Sequence, residues 1–137
     1  MRIKVALVLA SGVLIAASSV ARVLAHHAFA AQFDATKVVT ITGTITKVER
    51  INPHGWIYVD VKGPDGTIEE WGIETGAPSL LLKLGVKRDS LPIGEQVTVT
   101  GYRAKDGSNT ANGNYIQFAD GRQLGLGSSS TSTQPAK

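Results

Sequence analysis

The sequence predicts an all-β domain, on three observations. Valine, isoleucine and threonine alternate along "VVTITGTIT", and again along "WIYVDV" and "VTVTGY". That period of two belongs to half-buried strands. Turn formers ("INPHG", "GPDG", "AKDGSNTANG") separate the runs. One short stretch, "PSLLLKLG", breaks the alternation and reads as a single helix.

The first strand starts near Val38, with Val39, Ile41 and Ile45 on its apolar face. Gly43 interrupts that face and predicts a bulge or bend, as closing a small barrel requires. "WIYVDVK" follows, with Ile57, Val59 and Val61 on one face and Trp56, Tyr58 and Asp60 on the other. "GPDG", residues 63–66, predicts a hairpin into "TIEEWGIE". Pro78 suits a first helical turn, Leu80, Leu81, Leu82 and Leu84 an apolar helix, and Gly85 its C-terminal cap. A fourth strand covers "VTVTGYR" and a fifth "NYIQFAD"; "DGRQLGLG" closes the domain. Three strands, a helix and two strands is the order of a small OB-like five-stranded barrel, with its helix between strands 3 and 4. A five- or six-stranded barrel of other topology is the alternative.

Residues 1–25 have the pattern of a secretory signal peptide. Arg2 and Lys4 precede an apolar run from Val5 to Ala17, too short for a comfortable membrane span. Val23 and Ala25 fit a cleavage site after Ala25; a cut after Ala21, with Ser19 behind it, is the alternative. The expected organisation is then an arm at 26–37, the β domain at 38–124 and an unstructured Ser/Thr-rich tail at 125–137. Localisation would be periplasmic or secreted. Removing Arg2, Lys4 and Arg22 from 14 basic residues leaves 11, against 11 acidic ones. A neutral mature chain has no general electrostatic pull toward nucleic acid or anionic lipid. The absence of cysteine excludes disulfides, thiolate zinc sites and iron–sulfur clusters.

The segments "HHAFAAQFD", "GTITKVERINPHGWIYVDV", "WGIE", "DSLPIGEQVTVTGYRAKDGS" and "ADGRQL" resemble an uncharacterised family of exported bacterial proteins, the DUF6152 family. The likeness spans residues 26–124, and the combination of HH, NPH and GYRAKDGS carries it. Ala28 stands where the family usually has serine, so no hydroxyl there is essential to the site considered below. The resemblance implies export and a small β domain, and it supplies no activity.

The three histidines are His26, His27 and His54. Cleavage after Ala25 would make His26 the terminus, offering α-amine and imidazole to one ion. His27 adds a second imidazole and His54, on the turn between the first two strands, a third. A nitrogen-rich set of this kind favours Cu(II), with Zn(II) or Ni(II) as competitors. The arm's dozen residues, extended, reach about 40 Å, enough to fold back to His54. Asp34 or Glu49 is a candidate oxygen ligand or partner to an imidazole. The competing reading is a solvated doublet and a purely structural NPH turn. Asn52, Trp56 and Tyr58 mark an alternative site, at the strand 1–2 rim, for a small molecule, saccharide or protein. Trp71 and Tyr102 are candidates for the same aromatic surface, which the arm or helix would otherwise cover. Asp106, Ser108 and Asn109 are a weak cation motif without the EF-hand order. No HExxH, thiol nucleophile or facing carboxylate pair is present, so the expectation is a binding protein and not an enzyme.

Overall fold

The computed structural model describes residues 28–128. Six strands lie among them: β1 (Phe33–Glu49), β2 (Trp56–Lys62), β3 (Ile68–Glu74), β4 (Gln96–Ala104), β5 (Thr110–Phe118) and β6 (Gln123–Gly125). The helix α1 (Pro78–Lys83) falls between β3 and β4, where the sequence places it.

β1 is long enough, at 17 residues, to serve two neighbours. Its N-terminal half pairs with β4 and its C-terminal half with β2, both antiparallel. β2 pairs with β3 and β4 with β5, again antiparallel. A short parallel pairing of β3 with β5 then closes a ring of five strands, and β6 adds to the outside of β5. The all-β prediction is met, with five strands in a ring and β6 as an addition.

Gly43 does not carry the bulge. The register shift of the β1–β2 ladder falls between Ile45 and Lys47. Gly43 instead lies where β1 passes close over β2: a Cβ there would stand 2.2 Å from the Asp60 carbonyl oxygen. Glycine is required by backbone approach.

Alternation works as expected on the inner face. Ile41, Ile45, Ile57, Val59, Val97 and Val99 form the core, joined by Ile73 and Ile116. Trp71 corrects an expectation. It pairs with Val59 and faces the core at 8 % exposure, so it is no part of an outer aromatic surface. Of the helical leucines only Leu81 is buried, because six residues make under two turns and can turn one residue inward. Gly85 ends the helix with φ +84°, while Gly85 and Val86 donate to the carbonyls of Leu82 and Leu81.

Both expected boundaries of the domain move outward. β1 begins at Phe33, and residues 28–32 form a helical turn that packs Phe29 against Phe33 and Tyr102, with ring centroids 5.7 Å apart in each pair. Much of the arm is thus built into the domain. At the other end Leu126 is fully buried, donating to the Asn114 carbonyl and accepting from Gly76 N–H. Order therefore runs through Ser128. β5 likewise starts inside the polar "TANG" stretch, at Thr110, because β3 and β4 both supply ladder partners there.

Candidate functional site

The turn carrying His54 is pinned to the end of β3. Gly55 N–H donates to the Gly76 carbonyl, and Thr75 N–H to the Gly55 carbonyl at 2.9 Å. A Cβ on Gly55 would meet Thr75 Oγ1 at 2.7 Å, so the two segments approach as only glycine allows. The Asn52–Pro53 peptide is cis, and Asn52 itself is exposed.

This contact seats His54 beside Glu74. Nδ1 of the imidazole lies 2.7 Å from Glu74 Oε1, with 41 % of the His54 side chain exposed and 8 % of the Glu74 side chain. The same oxygen accepts from Asn112 Nδ2 at 2.9 Å. Asn112 is itself 2 % exposed, and its Oδ1 accepts from the Ser128 hydroxyl. His54, Glu74 and Asn112, together with Pro53, Leu80 and Gly127, line a cleft of about 240 Å³.

The strand register explains the meeting. Tyr102 pairs with Asn112, Asn112 with Glu74, and Glu74 with Trp56. Four strands thus contribute one row, on the face turned away from the core. Phe29 stacks edge-on to Tyr102 at one end of it. Trp56, at the other end, lies against Gly72, where a Cβ would come within 3.5 Å of the indole. Trp56, Gln32, Phe33, Asp106, Ser108 and Thr110 are among the residues lining a second cleft, of about 570 Å³.

A carboxylate can only accept. Glu74 therefore holds a proton on Nδ1 of His54, which leaves Nε2 as the ring nitrogen available to a ligand. Metal-binding histidines commonly donate their second ring N–H to a carboxylate in this way.

The sequence-derived partners Asp34 and Glu49 are engaged elsewhere. Thr36 donates to Asp34 through hydroxyl and backbone, holding that carboxyl below its usual range. Glu49 accepts from Lys47 and from the Tyr58 hydroxyl, and Lys47 contributes most to lowering it. Tyr58 is thereby tied to Glu49 and away from the Trp56 cleft, and burial followed by this bond pushes its hydroxyl up. Asp106 accepts from Ser108 N–H, which makes a closed local turn of the proposed cation motif.

Glu74 and Asn112 are the residues that sequence reasoning missed. Glu74 is visible as the last residue of "WGIE", but its neighbours across the ring are set by β3–β5 pairing, 38 residues apart in the chain. Among the described residues, no three His, Asp or Glu side chains gather as a metal-holding group. Among them, too, no helix is long and apolar enough to cross a membrane. His26, His27, the signal segment and both cleavage points lie outside the described residues.

No curated protein and no solved structure matches the chain. A family model does match, over residues 13–113, the greater part of the sequence. The chain belongs to that family, DUF6152, a family of unknown function.

Proposed function

We propose that this is an exported, non-catalytic protein that binds a transition-metal ion, copper first, between His54 and the N-terminal pair His26 and His27. The observation that carries the reading is the pairing of His54 Nδ1 with the buried Glu74 carboxylate, 2.7 Å away. It holds a cleft-lining imidazole by Nδ1 and leaves Nε2 free, as a ligating histidine needs. The anchoring of Phe29 on Tyr102 supports the partners. His27 is two residues before Phe29, a chain reach of about 7 Å. Tyr102 stands two strand spacings from Glu74, about 10 Å. With cleavage after Ala25, the His26 amine joins the set and favours Cu(II). The test is Cu(II) titration of the chain beginning at His26. The expectation is one tight site per chain, weakened at least about tenfold in His54→Ala; equal affinity in the two would remove His54 from the site.

A second reading has its own observation, the cleft beside Trp56. An indole backed by Gly72 and bordered by Gln32, Ser108 and Thr110 suits a neutral ring-shaped ligand such as a saccharide. Trp71 is buried, so added disaccharide would change tryptophan fluorescence through Trp56. A response that persists in Trp56→Ala would dismiss this site.

A further inference from the structure

The chain of hydrogen bonds behind His54 has only one possible polarity. Glu74 as a carboxylate offers no proton, so the Asn112 amide must turn Nδ2 toward it. That leaves Asn112 Oδ1 facing the Ser128 hydroxyl, which must donate. Read outward, Ser128 fixes the Asn112 amide, Asn112 fixes Glu74 Oε1, and Glu74 fixes the proton on His54 Nδ1. Reversing the amide would set its oxygen against the carboxylate in a region with almost no access to water.

The segment that supplies Ser128 is held independently of the site. Leu126 is fully buried, and its backbone bonds both Asn114 and Gly76. Gly127 passes so close to Gly76 that a Cβ on Gly76 would lie 3.0 Å from the Gly127 carbonyl oxygen. Residues 126–128 therefore form a strap over the β3–β5 junction, and its Gly127 lines the His54 cleft.

We infer that Asn112 and Ser128 are positioning residues for His54, and that the strap at 126–128 is a working part of the site. Through them the C-terminal segment holds Glu74 Oε1 against His54 Nδ1, and so strengthens the preference for a free Nε2. This deepens the metal-binding reading and rests on it for its purpose, but the relay exists without metal.

Long-range ¹H–¹⁵N correlation spectra of the metal-free, full-length mature chain test this, recorded in mildly alkaline buffer where imidazole is neutral. The expected signal is a protonated Nδ1 and an unprotonated Nε2 on His54. Ser128→Ala should raise the population with the proton on Nε2 about threefold or more, as expected for one lost side-chain hydrogen bond. Ser128→Thr, which keeps the hydroxyl, should restore the wild-type ratio. Asn112→Ala should shift it further, with amide dispersion checked for folding. An unchanged ratio in Ser128→Ala, or a wild type already protonated on Nε2, overturns the relay. Cu(II) titration of the same samples separates the two claims. Absence of binding beside an intact relay overturns the metal reading alone. Binding with an unresponsive ratio overturns the relay alone.

Discussion

Replacing Glu74 by leucine should destabilise the fold through Asn112 more than through His54. Glu74 Oε1 receives two donors, Asn112 Nδ2 at 2.9 Å and His54 Nδ1 at 2.7 Å. Leucine approximates the volume and accepts nothing. His54, 41 % exposed at its side chain, recovers water for its freed N–H. Asn112, 2 % exposed, has no such recourse. An unsatisfied buried donor costs about 1–3 kcal/mol, partly offset because a buried carboxylate is also removed. The net expectation is about 1–2 kcal/mol, or a fall in Tm of about 4–16 °C for a domain of this size. His54→Ala leaves the Glu74–Asn112 bond in place and should cost about 0.5–1 kcal/mol. Calorimetric unfolding of Glu74→Leu, Asn112→Leu and the double variant measures the coupling. The double variant should be less destabilised than the sum of the singles by about 1 kcal/mol or more. Additive costs, or a neutral Glu74→Leu, would refute the claim that these two side chains form one buried unit.

Other outcomes follow from the same structure. Gly43→Ala puts a methyl 2.2 Å from the Asp60 carbonyl oxygen and 2.8 Å from Val59 Cγ1. The β1–β2 crossing must open, at a cost of about 3 kcal/mol or more, read from urea unfolding. Leu126→Ala should cost about 2–5 kcal/mol by the same assay, whereas a tail that begins at residue 125 would predict no change. Glu49, Asp65 and Asp106 have carboxyls held below their usual values, by Lys47, Thr67 and Ser108 respectively. For each the unfolded chain takes up its proton first. The stabilisation is complete above the unfolded value and lost as pH falls through the folded one. The urea midpoint should therefore hold near neutral pH and decline below about pH 4, less steeply in Glu49→Gln.

The strands were legible because alternation and turn chemistry agree along most of the chain. "WIYVDVK", "GPDG" and the Pro78–Lys83 helix with Gly85 beyond its end stand where their residues place them. The misplaced boundaries share one cause. "FDATK", "TANG" and "LGS" are short or polar, and each is ordered by a distant partner: β4 for Phe33, β3 and β4 for Thr110, and Asn114 with Gly76 for Leu126. Trp71 was misread for a related reason, since an aromatic in a strand carries no local mark of its face until the register with Val59 is known. The site divides in the same way. His54 was evident from its rarity and its turn. Glu74 was lost among three glutamates of one strand, and only ring closure through β5 singles it out. Asp34 and Glu49, nearer in sequence to the histidines, are occupied by Thr36 and by Lys47 with Tyr58.

The central claim, that one ion sits between His54 and the N-terminal histidines, is tested most directly by paramagnetic broadening. Substoichiometric Cu(II) is added to the uniformly ¹⁵N-labelled chain beginning at His26, and amide signals are followed residue by residue. Broadening centred jointly on residues 27–29, His54, Glu74 and Asn112 is the predicted result. Broadening confined to residues 27–29, with His54 and Glu74 untouched, would contradict it.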